Sequence, residues 1–221
     1  MCYKATMPKM VDPEERRREV AEAIFRVARR DGLDHASLRA VAAEAGLAIG
    51  SVRHYFDGQA DLMIFAMRYF ADRAGSRIRE AATRLKKPAP DAPASEHVAT
   101  LELLLAEILP LDESRREEAE VWLAFITAAR TRPDLAPYAR ELFDELAAML
   151  DVLLAAADRL GALRPDLDLH AERVRLNALL DGLTLHAVLQ PDRIGPPELT
   201  DALRHHITDI AAVPPEGPAP R

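Results

Sequence analysis

Helix-favouring segments separated by helix-breaking residues constrain the fold of this chain more than any other feature. Alanine, leucine, arginine and glutamate dominate the segments, and all four favour the α-helix. Glycines and prolines stand between the segments, for example Gly32, Gly46, Pro110 and Gly161, where they are expected to end helices. No stretch alternates apolar and polar residues in the manner of a β-strand. The sequence therefore predicts an all-α fold of about nine helices.

The first 85 residues predict a head of three helices followed by one long connecting helix. Asp12-Pro13-Glu14-Glu15 has the features of a helix start: an N-cap acceptor, a proline in the first helical position and the carboxylate of a capping box. Ser37 is expected to cap the second helix, which ends at Gly46. The third helix is expected to end near Phe56, and the fourth runs over about 58–85.

A segment with three prolines separates these helices from a second group. The sequence KKPAPDAPAS, residues 86–95, has no apolar period and predicts a loop. Residues 1–11 are expected to be a flexible extension and residues 213–221 a disordered tail. Between the loop and the tail, the apolar spacing predicts five helices, at about 96–109, 113–131, 134–160, 169–190 and 197–212.

Charge distribution and cysteine content narrow the class of protein. Residues 1–56 carry a net charge of +2 and residues 57–221 a net charge of −9, which suits a small anion-binding part on an acidic body. The chain has one cysteine, Cys2, and its first ten residues lack the apolar core of a signal peptide. No apolar run approaches the roughly 20 residues needed to span a membrane. We expect a cytoplasmic protein that contacts no membrane.

Two short helices joined at Gly46 form the pattern of a helix-turn-helix motif, whose second helix enters the DNA major groove by its N-terminal end. Small residues at that end, such as Gly50, allow the backbone to approach the duplex. Ser51 and His54 can donate hydrogen bonds to phosphates, and Arg53 can pair with a phosphate or reach a guanine edge. On spacing alone, an ordinary helical corner without DNA-binding function is the alternative.

The candidate contacts with double-stranded DNA lie on both sides of this turn. Tyr55 is also expected, together with Phe56, to hold the third helix against the first and fourth helices. The candidates are Ser37, Arg39, Ala48, Ile49, Gly50, Ser51, Arg53, His54, Tyr55 and Gln59.

The stretch SLRAVAAEAGLAIGSVRHYFDGQADL, residues 37–62, resembles the DNA-binding domain of the TetR family of bacterial transcriptional regulators. The likeness covers about residues 13–70 and includes AIFRVARRDG in the first helix. Matching or similar residue types stand at Gly46, Leu47, Gly50, Ser51, Val52, Tyr55, Phe56, Asp61 and Leu62.

Three positions depart from the family's pattern. The family usually has serine or threonine where this chain has Ala48, so the third helix lacks its usual N-cap oxygen, a loss that typically costs about 1 kcal/mol. Tyrosine is usual at the position of Arg53 and lysine at that of Gln59. Gln59 retains hydrogen bonding to a phosphate but neutralises no charge, and Arg53 is placed to restore that charge.

The resemblance implies a DNA-binding domain over 12–57, a connecting helix over 58–85 and an effector-binding and dimerisation domain over 86–212. It implies a homodimer that binds a palindromic operator, because a two-fold helix-turn-helix protein reads two half-sites. It also implies repression that ends when a small molecule binds; an activator built from the same parts is the other possibility.

Two apolar stripes near the end of the chain are candidates for the dimer interface. Helices with broad apolar faces suit a four-helix interface between two copies, and the alternative is that both helices pack into their own bundle. The stripes consist of Leu176, Leu179, Leu180, Leu183, Ala187, Leu199, Leu203, Ile207 and Ile210.

Mainly aromatic residues of the second group of helices are candidates for the effector pocket. The segment DGLTLHAVL resembles a feature of family members with a C-terminal domain of the choline-sensing type. A pocket lined in this way favours a hydrophobic or amphipathic effector. The candidates are Trp122, Phe125, Tyr138, Phe143, Met149 and His186.

Metal, cofactor and catalytic sites are not indicated. The scattered histidines have no metal-ligand spacing, and the sequence contains neither a glycine-rich phosphate loop nor a nucleophile–base constellation. We therefore expect no enzyme activity, no cofactor and no metal. The remaining alternative is a helical-bundle enzyme or small-molecule carrier without DNA-binding function.

Overall fold

The computed structural model describes residues 13–85 and 88–212, and these residues form nine α-helices and one short 3-10 turn at Leu33–His35. The all-α prediction is confirmed. The helices are α1 (Pro13–Asp31), α2 (Leu38–Glu44), α3 (Ile49–Tyr55), α4 (Gln59–Arg84), α5 (Ala94–Ala106), α6 (Glu113–Ala129), α7 (Ala136–Arg159), α8 (Leu169–Leu189) and α9 (Pro196–Ile210).

The chain forms two compact units that divide between Tyr69 and Phe70. In the first unit, α1 presents an apolar face because its apolar residues recur every three or four positions. Small side chains dominate the middle of this face, which allows helices to approach closely. The fully buried residues of this face are Val20, Ala21, Ala23, Ile24 and Val27.

The turn between α2 and α3 follows from local chemistry. The Ser37 Oγ accepts a hydrogen bond from the Ala40 backbone N–H over 3.2 Å and caps α2 as predicted. Gly46 adopts a φ of 66°, a left-handed conformation that favours glycine. The next backbone N–H, that of Leu47, then donates to the Ala42 carbonyl over 2.8 Å, which closes the helix end.

Ion pairs also hold α1 against α2. The Glu44 carboxylate on α2 accepts hydrogen bonds from Arg30 and Arg26 on α1, each over 2.8 Å. The hydrogen bond from Arg30, followed by that from Arg26, lowers the pKa of the Glu44 carboxyl below its ordinary value.

The second unit is a helical bundle with one main apolar core. Helix α8 packs against α6, α7 and α9, and α5 packs against α7 and α9. The bundle's C-terminal end is tied to the connection between α7 and α8, because the Ala212 N–H donates to the Ala162 carbonyl over 2.8 Å. The core residues are Leu101, Leu105, Leu109, Leu150, Leu154, Ala157, Ala162, Leu163, Leu176, Leu180, Ala187, Leu199, Leu203, Ile207 and Ile210.

The predicted helix bounds differ from the observed ones by a few residues. Helix α5 ends at Ala106 rather than near residue 109, because the N–H groups of Ile108 and Leu109 bond three residues back and form turns. Leu109 is nevertheless fully buried, so its apolar character extended the predicted helix. The predictions for Asp12, residues 1–11 and residues 213–221 lie outside the described residues.

Candidate nucleic-acid interface

Helix α3 divides into a buried side and an exposed side. Val52 is fully buried and fixes the helix on the first unit. Gly50, Ser51, Arg53 and His54 are exposed on the other side. The predicted polar contacts of the third helix therefore share one accessible surface with a glycine that presents no side chain.

The N-terminus of α3 lacks a side-chain cap. Ala48 has the extended backbone of an N-cap residue, with φ −66° and ψ 137°, but its methyl group accepts no hydrogen bond. The backbone carbonyl of Ala48 accepts the first bond of the helix, from the Ser51 N–H over 2.9 Å. The geometry of a cap is present, and only the oxygen expected of serine or threonine is missing.

Aromatic packing holds α3 on its neighbours, as predicted from the sequence. The guanidinium of Arg17 on α1 lies 6.0 Å from the centre of the half-buried Tyr55 ring. The rings of Phe56 and Phe65, the latter on α4, have centres 5.3 Å apart. The His54 ring meets the Tyr55 ring edge-on at 5.1 Å, so α1 and α4 both help to orient the end of α3.

Two predicted contacts next to α3 already bond within the chain. The Gln59 side-chain amide donates to the Asp34 backbone carbonyl over 3.1 Å, which fixes the start of α4 on the 3-10 turn. The Ser37 oxygen caps α2. Ser37 and Arg39 are both exposed.

The chain is similar to known transcriptional regulators. A family model described as "BetI-type transcriptional repressor, C-terminal" matches residues 97–212. The HTH-type transcriptional regulator PksA of Bacillus subtilis (strain 168) is 37% identical over 204 residues, covering 92% of this chain and 94% of PksA. The chain belongs to the TetR family of transcriptional regulators.

Solved structures agree with this family membership. A transcriptional regulator from Rhodococcus sp. Rha1 has a TM-score of 0.74 and 32% identity, covering 90% of this chain and 99% of that chain. A putative transcriptional regulator from Saccharomonospora viridis, solved in complex with choline, has a TM-score of 0.70 and 23% identity, covering 90% and 98%. This TetR-family chain is thus a helix-turn-helix transcriptional regulator.

The predicted effector-pocket residues of this TetR-family regulator are not brought together in one environment. Phe125 is fully buried, and Trp122, Tyr138 and Met149 are half-buried. Phe143 and His186 are exposed, so neither lines the interior of the bundle. A shallow surface depression on α7 includes none of the six and is lined by Pro137, Arg140, Glu141, Asp144, Glu145 and Ala148.

The apolar stripes of α8 and α9 point inward, which corrects the predicted dimer interface. Leu179 and Leu183 are only half-buried, but the other members lie in the core of the chain's own bundle, the alternative that the sequence left open. A side chain packed inside its own chain cannot also contact a second copy. The buried members are Leu176, Leu180, Ala187, Leu199, Leu203, Ile207 and Ile210.

Helix α8 also carries an exposed apolar face that sequence reasoning missed. Val174 is 50% exposed, Leu185 40% and Leu189 62%, and Ala178 lies exposed between them. Because α8 has apolar residues on both of its sides, its sequence shows no single apolar period. The stripe that is buried in the structure is therefore the one predicted as the dimer interface. Asp181 lies on this face, and desolvation by its neighbours raises the pKa of its carboxyl.

Three buried polar side chains were also missed. The Glu172 carboxylate on α8 accepts a hydrogen bond from the Arg175 Nη1 over 3.2 Å, and it lies 2.7 Å from the His206 Nε2 without hydrogen-bond geometry. His97 on α5 and Asn177 on α8 each retain a buried polar atom without a hydrogen-bond partner among the described residues. Such residues stand out in sequence only as polar positions on an apolar helix face.

Residues 13–85 and 88–212 contain neither a metal-binding cluster nor a helix that could span a membrane. No cluster of three or more histidine, cysteine or carboxylate side chains there could hold a metal ion. In the same residues, every helix is too short or too polar to cross a bilayer.

Proposed function

We propose that this protein is a homodimeric repressor that leaves a palindromic operator when a small hydrophobic or amphipathic molecule binds its helical bundle. The observation that carries the proposal is the exposed side of α3, where Arg53, His54 and Ser51 surround Gly50. Hydrogen-bond donors next to a bare stretch of backbone suit close contact with a duplex. We also propose that it acts in the cytoplasm and has no catalytic activity.

The exposed apolar face of α8 supports a dimer. Monomeric proteins rarely leave an apolar strip on a helix uncovered, and the strip here is interrupted by Asp181. A second copy that packs its own α8 against Val174, Ala178, Leu185 and Leu189 would bury the strip by two-fold symmetry. Two copies of α3 would then be available for the two half-sites of a palindrome.

The choice of effector class draws on proteins of the same fold. One was solved with choline, and a regulator from Bacillus subtilis was solved with stearoyl-CoA. Both ligands combine apolar and polar parts. The interior of this bundle is mainly aliphatic, with a few buried polar groups, which suits an amphipathic molecule.

Helix α4 provides a route from the bundle to the operator-binding unit. It is continuous from Gln59 to Arg84, and in the bundle its Arg73 and Arg77 pair with Glu118 of α6. An effector that displaces α6 would act on α4 through these pairs. It weakens operator binding only if it prefers the state that does not bind DNA, and a coupling of about 1–3 kcal/mol is typical.

Selection from a pool of random double-stranded DNA at near-physiological salt tests the proposal. Enrichment of a palindrome is expected, and its affinity should fall steeply with salt. The double variant Arg53→Ala/His54→Ala should lose the enriched sequence. The matched control Arg159→Ala/His170→Ala changes exposed residues of the same types in the bundle and should retain it.

Two results would contradict the proposal. A folded dimer that enriches no DNA sequence, with or without added metabolite extract, would contradict the proposed binding to an operator. Equal DNA affinity in the Arg53→Ala/His54→Ala variant and the wild type would show that α3 is not the helix that contacts the operator.

A further inference from the structure

Helix α4 contains a glycine–serine pair, Gly75–Ser76, that neither its backbone nor its packing requires. Gly75 has an ordinary helical backbone, since the described glycines with positive φ lie outside α4. The three atoms nearest to a methyl group added at Gly75 all belong to the Arg79 guanidinium, the closest being Nη1 at 3.1 Å. Arg79 is exposed and can move aside. An alanine would therefore fit, and the glycine makes this turn of the helix weaker.

One carboxylate of α6 spans this weak turn. Arg73 and Arg77 stand two residues before and two residues after Gly75, so they lie one turn apart on the same side of α4. Their guanidinium groups lie 3.3 Å and 2.8 Å from the carboxylate of Glu118. Glycine–serine pairs are recurrent sites of helix kinks. A kink here would change the separation of the two arginines, so one carboxylate could no longer contact both.

The hydrogen bonding between Glu118 and α4 is incomplete. Its Oε2 accepts a hydrogen bond from the Arg77 Nη1, whereas its Oε1 contacts Arg73 without hydrogen-bond geometry. The Arg77 Nε is also buried and has no hydrogen-bond partner among residues 13–85 and 88–212. Buried polar atoms without a partner make an arrangement less stable. The contacts across the turn are therefore weaker than those of a fully hydrogen-bonded ion cluster, which suits a contact that has to open.

We infer that Gly75–Ser76 is a hinge within α4 and that Glu118 of α6 is the latch that keeps the hinge closed. In the closed state Glu118 contacts both arginines, and α4 is one continuous helix. A displacement of α6 separates Glu118 from Arg73, from Arg77 or from both, and α4 then kinks at the glycine–serine pair. The hinge and the latch both belong to the second unit, which begins at Phe70.

The regulatory role of this hinge rests on the proposed function. Helix α4 begins at Gln59 in the first unit and ends at Arg84 in the bundle. A kink in its middle would alter the course of the helix that connects the effector-binding bundle to the operator-binding unit. Opening of the latch should therefore weaken operator binding, and an effector that displaces α6 would act through this opening.

Hydrogen exchange of the full-length protein, measured by mass spectrometry without DNA or ligand, tests the hinge. The backbone N–H groups of residues 76–79 should exchange when the hinge opens, because their helical hydrogen bonds span Gly75. Glu118→Gln should accelerate their exchange about tenfold relative to the rest of the bundle, and Gly75→Ala should slow it about fivefold. Unchanged exchange in either variant, or an acceleration of equal size throughout the bundle, would overturn the inference.

Two matched variants control for side effects. Glu113→Gln removes a carboxylate of the same helix whose pair with Arg116 is exposed, and it should leave the exchange of these four amides unchanged. Arg79→Ala removes the side chain that lies next to Gly75 and should also leave their exchange unchanged. If Arg79→Ala slows exchange as much as Gly75→Ala does, the displaced arginine accounts for the effect, and the glycine is not a hinge.

Affinity for the enriched palindrome tests the regulatory role. Glu118→Gln should weaken binding about tenfold, which lies within the range typical of allosteric coupling, and Glu113→Gln should not weaken it. Adding Gly75→Ala to Glu118→Gln should restore most of the affinity, because a stiffer α4 depends less on the latch. Unchanged affinity in Glu118→Gln, or no recovery in the double variant, would overturn this role.

The outcome is separable from that of the proposed function, because hydrogen exchange requires no DNA. A protein whose exchange changes locally at residues 76–79 but which enriches no palindrome retains the hinge and loses the proposed function. A protein that enriches a palindrome but shows no local change in exchange remains a DNA-binding regulator without this hinge.

Discussion

The Arg77 Nη1 on α4 lies 2.8 Å from the Glu118 Oε2 on α6. The Glu118 side chain is 11% exposed, and its other carboxylate oxygen lies 3.3 Å from the Arg73 Nη2. One carboxylate on α6 therefore contacts two guanidinium groups that lie one turn apart on α4. This arrangement joins α6 to the bundle portion of the helix that continues into the first unit.

Replacing this carboxylate should destabilise the bundle. Glu118→Gln keeps the shape of the side chain but removes the charge that faces Arg73 and Arg77, so we expect the free energy of unfolding to fall by about 1–2 kcal/mol in urea titrations. The control is Glu113→Gln on the same helix, whose pair with Arg116 is exposed and should change stability by less than about 1 kcal/mol. If both variants lose the same free energy of unfolding, the contacts of Glu118 with α4 contribute no more to stability than an exposed ion pair does.

The N-terminus of α3 offers a stabilising substitution. Ala48 has the backbone conformation of an N-cap residue but no oxygen to accept a hydrogen bond. Ala48→Ser supplies that oxygen, so the free energy of unfolding should rise by about 0.5–1 kcal/mol. Chemical denaturation followed by circular dichroism measures the change.

The control for this substitution is Ala43→Ser. Ala43 is a solvent-exposed residue within α2. A serine hydroxyl there cannot cap the start of a helix, and serine is slightly less favourable than alanine at a position within a helix. Ala43→Ser should therefore leave stability unchanged or lower it. If Ala48→Ser is no more stable than Ala43→Ser, the start of α3 does not gain from a side-chain cap.

The sequence was sufficient for the order of the helices and for the turn that precedes α3. Gly46 stands where the chain needs a left-handed turn, and Ser37 stands where α2 needs a cap; both features depend on one or two residues and are visible locally. The family likeness of residues 37–62 then identified the exposed side of α3.

The sequence did not suffice to distinguish the buried apolar residues of the bundle from the exposed ones. Helix α8 has Leu180 on its buried side and Leu185 on its exposed side, and no local rule distinguishes them because both sides are apolar. The same limitation concealed Asn177, whose burial depends on the helices packed around it. Tertiary packing decides such positions, whereas periodicity only restricts them.

A pair of leucine substitutions tests the proposed interface. Leu203 is fully buried in the bundle, so Leu203→Ala should lower the free energy of unfolding by about 2–5 kcal/mol. Leu185 is 40% exposed, so Leu185→Glu should leave the helical content intact and shift the protein from dimer to monomer in sedimentation velocity. A dimer that survives Leu185→Glu would exclude this face of α8 as the interface.

The contribution of Glu44 to stability should depend on pH. Hydrogen bonds from Arg30 and Arg26 lower the pKa of Glu44 below its ordinary value of 4.5. An acid whose pKa is lower in the folded state binds fewer protons there than in the unfolded chain, so its stabilising effect is complete above the ordinary pKa. The effect is lost as the pH falls through the pKa of the folded state.

Unfolding titrations of the wild type and Glu44→Gln over a series of pH values check this direction. The wild type should be the more stable protein at neutral pH, and the difference should shrink in acid, because protonation removes the charge that the variant already lacks. The control is Glu22→Gln, an exposed position on α1, for which little difference is expected at any pH. A wild-type advantage that persists unchanged in acid would mean that the contacts of Glu44 with Arg26 and Arg30 do not depend on its charge.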